Sequence, residues 1–277
     1  MAASAFGKRQ RARIMITVKT YPELSNKYRE TSCVAGIRLD QGEPQHVRLF
    51  PVPFRLLSEG TKFSKYSIIE VDVEPHRPER DSRPESLRPD LDTLKIVGEV
   101  PSDDGWQKRY KHIEPLVAPS LCAIKRDQEE RATSLGVFRP AEVTRFRLEP
   151  AAPWTASKAA LTDQLDLFEQ DLNPLEWVPL DFRYTFYCAD DGCPTHDMAL
   201  KDWEAGQSYR RFLRKYGENG VNDALRKRWY DLIFTPNRSV HFFVGNMAKH
   251  PKTFMLLGLF YPERNVTQYV QDDLFAS

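Results

Sequence analysis

The sequence contains few cysteines, no long apolar segment and almost no net charge. Its four cysteines, spread over 277 residues, are too few for a disulfide framework, so a reducing compartment is expected. No apolar segment approaches the roughly 18 residues that a membrane-spanning helix needs. The N-terminal segment MAASAFGKRQRAR also lacks the apolar core of a secretory signal. We therefore expect a cytoplasmic protein that is not inserted in a membrane.

The charge balance excludes a protein that coats DNA by bulk attraction. The chain has 40 basic and 39 acidic residues, so any nucleic-acid site must be local. The sequence also lacks the P-loop, the Rossmann glycine motif, the serine-hydrolase elbow and the H-E-x-x-H metalloprotease motif. Apolar residues make up 41% and aromatic residues 12% of the chain, which is sufficient for a folded core.

The first half of the chain is rich in strand patterns. Residues 33–39 and 46–50 are apolar segments separated by a turn with glycine and proline, which predicts a β-hairpin. Residues 67–73 alternate apolar and acidic side chains, as in a strand with one exposed face. We expect these strands to form a small, strongly curved sheet or a partly open barrel.

Residues 74–89 interrupt this pattern with four prolines, which predicts a long surface loop rather than a helix or a central strand. A loop of this length is uncommon in a compact domain unless it is functional or disordered. It carries Arg77, Arg80 and Arg83, which could contact phosphates. The alternative is a solvated connection, because acidic residues offset the arginines.

The second half of the chain shows both helical and strand patterns. A helix is predicted from residue 202 to 216, ending before Gly217, and a second amphipathic helix from 222 to 234. The apolar runs 240–244 and 253–261 are too continuous for an exposed face and predict central, buried strands. The sequence therefore predicts an α+β protein in four parts: a basic N-terminal extension (1–13), a β-rich domain (14–150), a linker or helix (151–175) and an α+β domain (176–277).

The most specific local motif is a possible metal loop, Cys188-x4-Cys193-x2-His196. Thiolate and imidazole ligands suit tetrahedral zinc, and the glycine and proline between them allow a tight turn. A fourth ligand is not evident from spacing. The candidates are Asp190, Asp191, Asp197, Cys33, Cys122 and His241. The alternative is a polar connection with two incidental thiols.

Four residues near this motif predict a second kind of metal site. His196, Asp197, Asp202 and Glu204 lie within nine residues, and carboxylates at this density can hold Mg²⁺ or Mn²⁺ for phosphodiester hydrolysis. In that nuclease, Lys201 or Lys249 would steady the phosphate. The alternative is an ordinary helix start, in which acidic residues complement the helix dipole and Asp202 is the N-cap.

Basic residues interleaved with aromatics mark the two predicted helices. Such side chains bind phosphates and stack on unpaired bases, although the same pattern is typical of the exposed face of an amphipathic helix. Lys249 and His250 add basic groups in the segment between the two buried strands. The basic helix residues are Arg210, Arg211, Arg214, Lys215, Arg226, Lys227 and Arg228.

These patterns favour a protein that binds DNA or RNA and that holds a structural zinc ion. A nuclease dependent on Mg²⁺ or Mn²⁺ is the first alternative. The second is a subunit that binds protein partners within a larger assembly, where the aromatic residues would mark an interface.

Overall fold

The computed structural model describes residues 9–25, 29–156 and 175–267. It contains a six-stranded and a seven-stranded sheet. About 26% of the described residues are helical and 43% are in strands, which confirms the α+β prediction. No helix in the described segments has the length and apolar character needed to cross a membrane. The helix predicted within residues 151–175 falls largely outside the described residues.

The first sheet closes into a barrel because its first strand pairs on both sides. The first half of β1 pairs with β5, and its second half pairs with β3. The third and fifth strands of this barrel, β4 and β6, are parallel neighbours. The strands are β1 (Gln10–Lys19), the short added β2 (Glu23–Ser25), β3 (Arg29–Arg38), β4 (Gln45–Val52), β5 (Ser67–Pro75) and β6 (Ser86–Glu99).

The second sheet repeats this connectivity. Here the first strand is split into two parts, β8 and β9. Strand β8 pairs with β12, and β9 pairs with β10. Residues 139–141 join the two halves and so close the barrel, while β11 and β13 are parallel neighbours. The elements are α1 (Gln107–Ile113), β7 (Val117–Ala118), α2 (Leu121–Arg131), β8 (Leu135–Phe138), β9 (Glu142–Pro150), β10 (Leu180–Tyr187), β11 (His196–Leu200), α3 (Trp203–Arg226), β12 (His241–Met247) and β13 (His250–Phe260).

Both barrels therefore have the strand connectivity of the OB-fold, a five-stranded Greek-key barrel. In each, the first strand contacts the second and fourth, and the third runs parallel to the fifth. In the second barrel a long helix, α3, lies between the third and fourth strands. The prediction of a strongly curved sheet or partly open barrel is consistent with the first sheet.

Helix α3 is interrupted where the sequence predicts a helix end. Gly217 has φ 67° and ψ −176°, outside the helical region. Glycine adopts this backbone conformation without the strain that a Cβ would bring. The helix up to residue 216 and the one that follows are thus separate segments, as predicted, and the second continues into a π-helical turn, Lys227–Asp231.

The two barrels share a buried core. Strand β1 places Ile14 and Ile16 in the interior of the first barrel, whereas Met15 lies between the barrels. Strand β13 likewise places Leu256 inside the second barrel and Phe260 in the shared core. Because both faces of these strands are buried, their apolar residues run without alternation.

A buried arginine joins the barrels through main-chain acceptors. Arg48 of β4 is only 2% exposed. Its Nη1 donates to the carbonyl of Asn246 at 3.1 Å, and its Nη2 donates to the carbonyl of Ser134 at 2.8 Å. Both acceptors belong to the second barrel, so this one side chain supplies hydrogen bonds that buried carbonyls require.

Several predicted boundaries differ from the structure. Residues 10–13, assigned to an extension, begin β1, where Arg11 pairs with Asp72. The predicted loop 74–89 is shorter, because β5 reaches Pro75 and β6 begins at Ser86. The loop predicted around Lys249 is a tight turn between extended strands. Helices α1 and α2 fall in a segment predicted as strand, and the change of sheet comes between β6 and β7 rather than at residues 151–175.

We predict that Arg48→Met lowers the free energy of unfolding by about 3 kcal/mol, because it removes charged hydrogen bonds from buried carbonyls. Chemical denaturation measures this change. The matched control is Arg88→Met, since Arg88 is exposed and its ion pair is with Glu74, which is also exposed. It should change stability by no more than about 0.5 kcal/mol. Equal effects of the two substitutions would contradict the role assigned to Arg48.

Candidate metal centre and nucleic-acid interface

The start of helix α2 brings a cysteine to the second barrel. Ser120 is the N-cap of α2, and its hydroxyl accepts a hydrogen bond from the amide of Ala123 at 2.9 Å. This cap fixes the first turn, in which Cys122 is half-buried. The helix is further held by an ion pair of 3.0 Å between Arg126 and Asp190 in the facing loop.

The connection between β10 and β11 supplies three more ligand groups. It turns at Gly192, whose φ of 70° favours glycine. The amide of Cys188 donates to Cys193 Sγ at 3.2 Å, which folds the loop back on itself. His196 is the first residue of β11 and is buried. The loop thus directs both thiols and the imidazole toward the first turn of α2.

The four ligand atoms of Cys122, Cys188, Cys193 and His196 lie within 4.8 Å of one another. Cys122 Sγ is 3.7 Å from Cys193 Sγ and 3.5 Å from His196 Nε2. Cys193 Sγ is 3.3 Å from the same nitrogen. Three sulfurs and one imidazole at these distances could hold a metal ion such as zinc.

Burial keeps the ligand groups uncharged when no cation is bound. Burial, followed by the contact with Cys193, raises the pKa of Cys122 to about 12. Burial also raises the pKa of Cys188 and lowers that of His196. The imidazole is therefore neutral, as a ligand must be, and the thiols would lose protons to a bound cation.

The sequence predicts three of these four ligands, and the structure brings them together. Cys122 was one of six candidates for the fourth position, and it lies 71 residues before Cys193. No local motif connects the two segments. The only sequence signal is that Cys122 follows a serine that can start a helix, and this does not indicate what the helix faces.

The four residues of the predicted nuclease site occupy three different environments. His196 belongs to the cysteine group, and Asp197 points to the opposite face of β11, where Arg147 and Arg183 bind it. Asp202 and Glu204 share Lys65 from the first barrel. In the described part of the chain, only the Cys122 group brings three or more possible ligands together. The structure therefore gives no support to a Mg²⁺ or Mn²⁺ site.

Asp202 has a structural position at the junction of the barrels. It is the N-cap of α3, as the alternative interpretation predicted, and accepts from the amide of Glu204 at 2.9 Å. Its other oxygen binds Lys65 Nζ at 2.6 Å, with the carboxylate fully buried. Burial alone would lower the pKa of Lys65, but the charges of Asp202 and Glu204 raise it above the ordinary value. Lys65 is thus charged in this pair.

Two loops that carry predicted nucleic-acid contacts lie side by side. Residues 76–85 connect the fourth and fifth strands of the first barrel, and Ala248 and Lys249 connect the corresponding strands of the second. Arg83 Nη1, from the first connection, donates to the carbonyl of Asn246 at 2.9 Å. Asn246 lies just before the turn at Ala248 and Lys249. We call these two connections, with the adjoining Met247 and His250, the two-loop surface.

The predicted contact residues differ in what their side chains do. Arg77, Arg80, Lys249 and His250 of the two-loop surface are exposed, whereas Arg83 is held by Asp81 at 2.7 Å. Arg210 is buried and donates to the carbonyl of Glu176. It therefore serves an internal contact. The exposed basic residues of α3 and the turn after it are Arg211, Arg214, Lys215, Arg226 and Lys227, while Arg228 is half-buried.

Fold and site together define a protein of two consecutive OB-type barrels with a Cys3His group on the second. The chain belongs to the family described as Domain of unknown function (DUF8757), whose model matches residues 117–276. A model described as Domain of unknown function (DUF8758) matches residues 10–115. The two matches meet between β6 and β7, where one sheet gives way to the other. No curated protein matches the chain in sequence.

The chain is also similar to solved structures at low identity. The Ifi202 HINa domain in complex with 20-bp double-stranded DNA is 9% identical, with a TM-score of 0.33, and the match covers 92% of this chain and 95% of that one. A murine DNA-binding protein bound to double-stranded DNA is 9% identical, with a TM-score of 0.30 and the same coverage. A replication protein A heterotrimer bound to single-stranded DNA is 9% identical, with a TM-score of 0.34, covering 93% of this chain and 51% of that one. At these scores the similarities carry no functional conclusion.

We predict that Cys122→Ser reduces the metal content of the purified protein, because it removes one of four ligands. Elemental analysis measures the metal content. The Tm of the variant should also be lower than that of the wild type, because a metal that binds the folded protein stabilises it. Cys33→Ser is the matched control, since Cys33 lies in the first barrel outside the group. Metal content that is unchanged in Cys122→Ser, or equally reduced in both variants, would contradict this assignment.

Proposed function

We propose that the protein binds nucleic acid across the two-loop surface. OB-type barrels bind oligonucleotides on the face of the second and third strands and through the loops before the second and fifth strands. The two-loop surface consists of the loops before the fifth strand of both barrels. Since this fold also hosts other functions, the proposal depends on the basic side chains that these loops present.

The observation that carries the proposal is the contact between the two loops. Arg83 and Arg48 both donate to the carbonyl of Asn246, which fixes one loop against the other. Exposed Arg80 and Lys249 extend from this fixed base, and among the described residues no ion pair is recorded for either side chain. Cations without carboxylate partners are available to phosphates, whose binding releases counterions.

The Cys122 group, as a structural zinc site, would be connected to the two-loop surface through α2. Tetrahedral zinc with Zn–S bonds of ~2.3 Å separates two sulfurs by about 3.8 Å, close to the 3.7 Å between Cys122 and Cys193. A metal there would fasten α2 to the loop after β10. Helix α2 in turn contacts β13, where Glu129 pairs with Lys252 at 3.0 Å just after the second turn.

We predict that the double variant Arg80→Ala, Lys249→Ala binds DNA or RNA roughly tenfold more weakly at moderate salt. Two lost phosphate contacts should also reduce the slope of log affinity against log salt by about 1.5 units. Fluorescence anisotropy with labelled single- and double-stranded DNA and RNA, over a salt series, measures both quantities.

The charge-matched control is Arg211→Ala, Arg214→Ala, which removes two exposed cations from α3. It should keep the wild-type salt slope. If this control loses affinity and the loop variant does not, the interface lies on α3 instead. If the wild-type protein binds none of the four nucleic acids, the proposed function is wrong.

A further inference from the structure

A polar pocket lies where the two barrels meet, at the far end of β13 from the two-loop surface. Its volume is about 220 Å³. Both barrels and the connection between them form its wall, so the pocket exists only when the two barrels are packed together. The residues that matter here are Lys65 and Tyr66 of the first barrel, Trp106 and Arg109 of the connection, and Glu204, Arg228 and Tyr261 of the second barrel.

Two aromatic residues of this pocket have unusual backbone conformations. Tyr66 has φ 67° and Trp106 has φ 74°. Bulky residues seldom adopt the left-handed region, because the Cβ crowds the backbone. Strain of this kind is concentrated at ligand sites and persists only when surrounding contacts enforce it.

Two guanidinium groups flank the aromatic pair in this pocket. The rings of Trp106 and Tyr261 have centroids 4.6 Å apart. The Arg109 guanidinium lies 5.3 Å from the Trp106 centroid, and that of Arg228 lies 6.0 Å from the Tyr261 centroid. Two planar, charged donors thus line the same pocket.

The donors of these arginines are only partly used. The Arg109 side chain is 9% exposed, its Nε donates to the carbonyl of Val100 at 2.9 Å, and its nearest carboxylate, Glu99, is 3.8 Å away. Arg228 Nη2 donates to the hydroxyl of Tyr261 at 3.1 Å. Across the described residues, no hydrogen bond is recorded for the terminal nitrogens of Arg109 or for Nη1 of Arg228.

The two carboxylates of the pocket share one lysine. Asp202 and Glu204 both bind Lys65 Nζ, at 2.6 and 3.2 Å. Three cations against two carboxylates leave the pocket with one positive charge in total. Arg109 and Arg228 contribute two positive charges, and Lys65 with its two carboxylates contributes one negative charge. An anion could therefore bind the arginines without displacing the Lys65 ion pairs, and on Arg109 it would compete only with the long 3.8 Å contact to Glu99.

We propose that this pocket binds a phosphate group, held by Arg109 and Arg228 with the rings of Trp106 and Tyr261 beside it. Guanidinium groups match the geometry of phosphate oxygens and bind them through paired hydrogen bonds. Pockets for drug-sized ligands occupy ~300–1,000 Å³, so this smaller pocket accepts a phosphate with little attached to it or the end of a larger molecule.

The test is an isothermal calorimetric titration of the full-length protein with inorganic phosphate. Chloride keeps the ionic strength constant. Saturable binding is expected, with a Kd roughly tenfold higher in Arg228→Gln because a charge-assisted contact is lost. Glu204→Gln changes the charge in the opposite direction and should lower the Kd. Arg145→Gln, an exposed position on β9, is the matched control and should bind as the wild type does.

Two further titrations identify the source of the phosphate. Tighter binding of a nucleoside monophosphate than of phosphate would indicate a small nucleotide. A preference for a 5′-phosphorylated over a 5′-hydroxyl oligonucleotide would indicate a strand end. The proposal is overturned if phosphate does not bind saturably, or if Arg228→Gln and Arg145→Gln have the same Kd. Neither result depends on nucleic-acid binding at the two-loop surface.

Discussion

The structure depends on the burial of a few strands on both faces. Strands β1, β12 and β13 each contribute one face to a barrel interior and the other to the core between the barrels. Because the hydrophobic effect scales with the apolar area removed from water, these strands stabilise two barrels and their junction together. The junction then has a fixed geometry, on which polar groups such as Arg48 and the Lys65–Asp202 pair can rely.

Local patterns predicted the strands and the break in α3, but not how distant segments meet. The apolar runs of β12 and β13 indicate burial on two sides because they lack alternation, and Gly217 indicates a helix end through its backbone freedom. Helix α2 gives no comparable signal, since only four of its residues, Leu121, Cys122, Ala123 and Ile124, form an apolar group. The first strand of the second barrel was assigned to the first domain, because β8 looks like any short strand and its partner β12 is about 100 residues away.

The metal group illustrates the same division between local and distant information. Cys188, Cys193 and His196 share a turn, so their spacing is itself evidence that they converge. Cys122 joins them only because α2 packs beside that turn, a consequence of how the second barrel closes. A ligand set drawn from two segments also has a consequence for stability. A bound ion would hold α2 to the barrel and, because the site exists only in the folded protein, would stabilise the folded state.

Many of the exposed basic residues are paired with carboxylates in the structure. Arg9 and Arg11 pair with carboxylates of β5 and β6, and Arg147 and Arg183 share Asp197. These pairs occupy exposed sheet faces, where each contributes little to stability but leaves little free charge. The remaining cations are therefore informative by position rather than by number. On the two-loop surface the cations are exposed, on loops that the contacts of Arg48 and Arg83 with the Asn246 carbonyl hold together. In the pocket between the barrels the cations are enclosed beside Tyr66 and Trp106, which have left-handed backbone conformations. The same junction positions both groups. Since each proposed anion-binding surface needs only a few local cations, both proposals are compatible with a chain that has almost no net charge.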